Sequence, residues 1–322
     1  MIETPSAPSV PAQRSALPVK QRKRIDILLY LIALPGILFF LIFSYSPMFG
    51  IVVAFKNFDI MKGIFDSPWS GLNNFRFFFT SNDAPHVIFN TLFLNILFIA
   101  ATTFCSVWLA ILLNEIRLKT FKRVVQSVLL LPYFMSWVVI SMMVQQILNG
   151  LAGNPALLNQ WLSAIGIHGL NWFYEPGVWP MILTVIKVWQ AAGYISIIYL
   201  AAITSIPEDV YEAARIDGAS SAQVALQITF PLLIPTVLIM LLLSIGGIFH
   251  GDFGMIYSII GDNGTLFPST DVIDTYVFRA LRLNGDLGMA AAVGLFQSAI
   301  GFVLVVFVNW IARRYNDNVA LF

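Results

Sequence analysis

Glu212-Ala-Ala-Arg-Ile-Asp-Gly218-Ala219, followed shortly by Ile228-Thr-Phe-Pro231, is the stretch that decides how this chain is read. It is polar, helical in pattern, and closed by a glycine. Long apolar segments flank it on both sides. A bare bundle of membrane helices has no need for a folded knob at such a place, so the knob calls for an explanation beyond connection.

The rest of the chain supplies the apolar frame. Of 322 residues, 58% are hydrophobic and 11% charged, against about 25% charged in soluble domains. So few charges do not cover a water-facing surface, and the lipid bilayer is the expected main solvent. A net charge of +1, with Lys and Arg gathered only at segment ends, offers no basic groove for nucleic acid. The single cysteine, Cys105, excludes a disulfide framework and a thiolate metal cluster. No metal ligand set is expected.

Spans of about 20 apolar residues cross a bilayer. Six segments qualify: 27–54, 88–113, 124–148, 178–203, 231–249 and 289–311. Pro35 and Pro47 predict a kinked first span. Gly246-Gly247 predicts a bend or close approach late in the fifth. Residues 1–24 are rich in Pro, Ser and Ala and end in Lys20, Arg22, Lys23 and Arg24. They read as a disordered basic tail that anchors topology, ahead of a transmembrane region at 25–322. No cleavable leader is expected, because the following apolar run is too long for a signal core.

Basic residues set the orientation. With the N-terminus in the cytoplasm, the tail, the 114–123 loop, the 204–230 loop and the C-terminus hold 12 Lys and Arg, and the outer segments hold 5. Six spans return the C-terminus to the same side. The outer segments 55–87 and 161–179 are rich in aromatics such as Phe65, Trp69, Trp172 and Tyr174. They suit an interfacial belt or, alternatively, a docking surface for an external partner or a sugar-stacking path.

The 204–230 loop reads as two short helices. Pro207 suits a first turn, and Glu208 and Asp209 complement the positive end of the helix dipole. Gly218 supplies a left-handed stop. Ser220 or Ser221 caps a second helix that is expected to end before Pro231. Ala213 and Ala214 are both expected to let a partner groove close tightly, with Glu212 offering it a carboxylate. A lipid-surface helix is the bland alternative. One Arg and no Lys argue against it, since anionic headgroups favour a basic face.

With these residues in view, Glu-Ala-Ala-x-x-Asp-Gly-Ala and the later Ile-Thr-Phe-Pro resemble the EAA loop of binding-protein-dependent ABC importer permeases. The blocks PMFGIVVAFKNFD, SPWSGLNNFRFFF, NTLFLNILFI, LLNEIRLKTFKRVVQSVLLLPYFMSWVV, IIYLAAITSIPEDVYEAARIDGA and DVIDTYVFR resemble the sugar-importing branch. That branch includes permeases for uronic-acid oligosaccharides such as alginate fragments. The resemblance runs from residue 25 nearly to the C-terminus. It implies an all-α, six-span, maltose-type importer fold in a bacterial cytoplasmic (inner) membrane. It also implies a second homologous permease, a cytoplasmic ATPase pair that binds ATP and Mg, and an extracytoplasmic solute-binding protein. Glu212, Ala213, Ala214 and Gly218 match the family's coupling positions, with Arg215 and Asp217 beside them. No cofactor is implied for this chain itself.

Two absences agree with that resemblance. No Gly-x-x-x-x-Gly-Lys-Ser/Thr loop is present to cradle nucleotide phosphates. None of the six spans holds Asp or Glu, which weakens the rival reading, an ion-coupled carrier. His86, His168 and His250 show no ligand or triad spacing, so a membrane enzyme is weaker still. Lys187 is the one charge inside a span; snorkelling outward and facing a polar path both fit it. Gln145, Gln146, Trp189, Gln190, Tyr194 and Gln297 are further candidates for a sugar path. For each of them interhelical packing is the competing role.

Overall fold

The computed structural model describes residues 27–150 and 155–315. The expected basic tail at 1–24 lies outside the described residues. The chain divides into two compact units, Met1–Phe49 and Gly50–Phe322. In the first, helix α1 (Ile27–Phe40) contains Pro35 and passes into a π-helical turn at Leu41–Tyr45. A 3-10 stretch, Ser46–Phe55, follows. The expected irregularity is therefore present. Pro47 carries no N–H to donate, and the regular i→i−4 ladder gives way ahead of it.

The second unit is a helical bundle, and its described residues form no strand, only an isolated bridge between Lys56 and Trp69. Its long helices are α2 (Ala84–Glu115), α3 (Lys119–Leu130), α4 (Trp137–Leu148) and α5 (Trp179–Thr204). The short α6 (Glu208–Ile216) precedes α7 (Phe230–Ile245), α8 (Phe253–Ile260), α9 (Ile273–Asn284) and α10 (Leu287–Tyr315). Among the described residues, five helices are long and apolar enough to cross a membrane, and a sixth span is a bent pair.

Two expected spans need correction. The third is broken: Lys119–Phe134 and Trp137–Leu148 meet at 95°. Pro132 stands in the 3-10 turn at the break, and the Ser136 side chain caps α4 by accepting from the Val139 N–H. A new cap restarts the helix in a new direction. The fifth span starts earlier than 231 and runs Ser221–Ile245. Pro231 does not end the preceding helix. A π-helical turn at Ala225–Thr229 joins Ser221–Val224 to α7 and accommodates the missing N–H. The second knob helix is therefore the root of a span.

α2 and α5 lie side by side and run in the same direction. Leu94 and Phe98 share a cluster with Trp179 and Leu183 near their starts, and Val107 and Ile111 share one with Tyr199 and Ile203 near their ends. In lipid the burial of apolar surface drives helix association weakly, so close fit must do it. Ala191, Ala192 and Gly193 on α5 are small and buried, and Gly193 gives such a fit against α3. A Cβ on Gly193 would sit 1.9 Å from the Leu129 carbonyl oxygen of α3, so only glycine permits this approach.

Candidate functional site

Two places in the second unit depart from apolar packing. The first is α6, in the stretch between α5 and α7. Pro207 is its N-cap in extended backbone, so the helix starts one residue later than expected. Glu208 and Asp209 occupy the first turn. Gly218 adopts φ +77°, and the Ala219 N–H reaches back to the Ala214 carbonyl, a left-handed termination. Ser220 and Gln223 form a reciprocal capping box that starts the next helix.

The helical period divides α6 into two faces. Tyr211 and Ala214, three residues apart, turn inward. The Tyr211 hydroxyl lies 3.4 Å from the Thr229 hydroxyl. Asp209, Glu212, Ala213 and Ile216 form the exposed face, and Ile216 is 86% exposed. This corrects the expectation that both alanines face a partner: Ala214 is 7% exposed and packs on its own chain. Arg215, Asp217 and Gly218 are exposed. The sequence reading missed Ile216, whose signal was its position one turn beyond Glu212 and Ala213. A polar cleft of about 410 Å³ separates α6 from the end of α2, lined by Glu115, Arg117, Glu208 and Arg215 among others.

The second place is an open cavity of about 550 Å³ lined by α2, the α3–α4 break, α5, α7 and the turn before α8. Lys187, Gln190 and Tyr194 line it from α5. The Lys187 ammonium donates to Asp252 Oδ2 at 2.7 Å, and it stands 5.5 Å from the ring centre of Trp137. Both partners of the ion pair keep partial exposure, 27% and 21% of their side chains. Eight residues into α5, roughly 12 Å along its axis, Lys187 neither snorkels nor stands alone. The Tyr133 and Tyr194 rings stack at 4.1 Å, 7° from parallel.

Asp252 was invisible as a site residue because it lies in no span. Its position is built by distant groups. Asn95 on α2 donates to the carbonyls of Ile248 and His250 at 2.9 and 3.1 Å. Gln297 on α10 donates to the Phe249 carbonyl at 2.7 Å and to Asp274 at 3.2 Å. The Gly251 N–H donates to Asp274 at 2.6 Å. With 248–251 so pinned, Asp252 caps α8 through Met255 N–H at 3.1 Å and turns its other oxygen to Lys187. A carboxylate thus enters the bundle although no span carries one.

The remaining path candidates separate cleanly. Gln297 is 4% exposed and serves the clamp just described. Gln145 donates to the Ile259 carbonyl and ties α4 to α8. Gln146 and Trp189 do not line the cavity, and Trp189 is 44% exposed. A larger groove of about 640 Å³ between α2 and α7 is lined almost wholly by apolar side chains, including Ile96, Phe104, Trp108 and Leu241. It offers little to sugar hydroxyls, so the smaller polar cavity is the better candidate. Among the described residues no group of His, Cys, Asp and Glu is arranged to hold a metal ion.

The opposite end from α6 carries basic residues that are already engaged. Lys56 is buried and donates to the carbonyls of Ile64 and Phe65. Arg279 pairs with Asp271 at 2.6 Å over the Phe267 ring. Arg282 pairs with Asp262 at 2.6 Å, and this carboxylate raises the guanidinium pKa above its ordinary value. Phe65 is almost fully exposed there, whereas Phe78 is buried, so the outer aromatics do not all serve one role.

Residues 102–317 match the family model described as the binding-protein-dependent transport system inner membrane component. The polygalacturonan/rhamnogalacturonan transport system permease protein YteP of Bacillus subtilis (strain 168) is 34% identical over 92% of this chain and 93% of its own length. Among solved structures, a bacterial ABC transporter involved in the import of the acidic polysaccharide alginate superposes with a TM-score of 0.80. It is 34% identical, over 90% of this chain and 96% of that one. A bacterial alginate ABC transporter in complex with its alginate pentasaccharide-bound periplasmic protein also scores 0.80, at 33% identity over 90% and 95%.

Proposed function

Since this chain belongs to the family of binding-protein-dependent transport system inner membrane components, it is a permease subunit of an oligosaccharide-importing ABC transporter, and we propose that its cargo is an acidic oligosaccharide. The permease catalyses no chemistry. It moves the sugar inward by alternating access. ATP and Mg are bound by a separate cytoplasmic ATPase pair, which docks on the Asp209, Glu212, Ala213 and Ile216 face of α6. A second, homologous permease completes the path, and an extracytoplasmic binding protein delivers the sugar.

The observation that carries this reading is the exposed face of α6, held rigidly between two spans by local caps. Closure of an ATPase pair on that face pushes directly on α5 and α7, and both line the polar cavity. The cargo is supported by Lys187 in that cavity and by the acidic polysaccharides named for the relatives. The 12-to-5 excess of basic residues supports placing both termini in the cytoplasm, and the bacterial relatives support a bacterial membrane. The engagement of Lys56, Arg279 and Arg282 within the fold strengthens that asymmetry.

Purification of the tagged chain from its native membrane tests the reading. A second permease and an ATPase are expected to co-purify, and ATP depletion is expected to abolish sugar uptake. Uptake that stops when ion gradients are collapsed, but continues without ATP, would support an ion-coupled carrier with Lys187 and Asp252 as its charged pair, and the importer reading would fall.

A further inference from the structure

The cation expected to meet an acidic sugar is already occupied by a carboxylate of its own chain. The two halves of that pair are held very differently. Asp252 has a second attachment: its Oδ1 caps α8 through Met255 N–H at 3.1 Å. That bond, at the positive end of the α8 dipole, keeps the aspartate placed when Lys187 leaves. Lys187 is a single ammonium on a flexible four-carbon stem, with Trp137 alongside. The anion is anchored and the cation is the movable half. Thr102 also lines the space, and its buried hydroxyl has no hydrogen bond among the described residues. Gln190 and the Tyr133–Tyr194 stack border the same space.

Resting on the oligosaccharide reading above, we propose that Asp252 is a resident counter-ion whose place on Lys187 is taken by the uronate carboxylate of the passing sugar. Exchange of one carboxylate for another keeps the lysine paired throughout. Stripping it bare inside the bundle would incur an unpaired-charge penalty. A neutral sugar has nothing to exchange and leaves the pair closed. Lys187 and Asp252 together thus select for acidic chains within the permease, independently of the selection made by a binding protein.

The test uses the complete importer in nanodiscs, without its binding protein. It is titrated calorimetrically with trigalacturonate and with the fully methyl-esterified, uncharged trisaccharide. Wild type is expected to prefer the charged form. Lys187→Gln should weaken the charged form about tenfold, the worth of one charge-assisted hydrogen bond, with no equal loss for the ester. Asp252→Asn keeps a good helix cap and frees Lys187, so it should tighten the charged form. Lys187→Arg should retain the preference, which separates loss of charge from loss of folding. A merely structural bridge between α5 and α8 predicts losses of the same sign in both neutralised variants and for both sugars. That result overturns the exchange even where the wild-type importer shows ATP-driven uptake. Absence of ATP-driven oligosaccharide uptake by wild type in proteoliposomes overturns the transport reading itself, and the exchange with it.

Discussion

The knob around α6 and the cavity around Lys187 are assembled from opposite kinds of contact. In the knob, the capping bonds span three to five residues: Ser220 with Gln223, and Ala219 with Ala214. In the cavity, Lys187 meets Asp252 across 65 positions, and Asn95 meets Ile248 across 153. The knob is therefore a locally pre-formed part, as the proposed transmission of force requires. The cavity takes its shape from how several spans pack. Damage to the knob should uncouple transport while the bundle stands, and damage to the packing should loosen the cavity while the knob stays folded.

The largest effect is expected at the knob. Gly218→Pro forces φ to about −65° where +77° is required, and Glu212→Lys reverses the charge at one position of the exposed face and cancels that of Asp209. Either should abolish ATP-driven uptake while immunoblots still find the chain in the membrane. Normal uptake in both variants would break the claim that this part transmits force.

Gly193→Ala drives a methyl into the Leu129 carbonyl and should cost about 1–3 kcal/mol as α5 and α3 are pushed apart. A lowered thermal midpoint of the detergent-purified complex would register it. A close third is Gln297→Leu, which leaves the Phe249 carbonyl without its side-chain donor and removes one of the donors to Asp274. A loss of roughly 1–3 kcal/mol is expected, with faster hydrogen exchange confined to 248–252. Equal acceleration in α6 would contradict the independence of the two regions. The smallest effect belongs to Ser220→Ala, worth about 1 kcal/mol of local cap energy. Its signature is faster exchange at 220–224 with the cavity unchanged.

The contrast also explains what was readable beforehand. Gly218 and Ser220 declare themselves because a left-handed stop and a cap are properties of the residue and its immediate neighbours. The sense of each alanine was not declared: Ala213 and Ala214 look alike in a string, and only the docking of α6 through Tyr211 turns one out and the other in. The broken third span was missed because hydropathy carries no direction. Pro132 and Ser136 mark a break only once a 95° turn is seen to be packed. Pro231 misled in the other direction, since a π-helical turn absorbed the lost hydrogen bond and let the helix continue. Gln297 was read beside Lys187 as a path candidate, yet it serves as a clamp.

The amino-acid string alone determined the solvent, the number of apolar crossings to within a broken one, and the capped helical knob, because each depends on composition or on bonds a few residues long. Tertiary structure decided which polar side chains share a space. Asp252 reaches Lys187 only because Asn95, Asp274 and Gln297, from three other helices, hold the turn before it, and no local pattern encodes so distant a meeting.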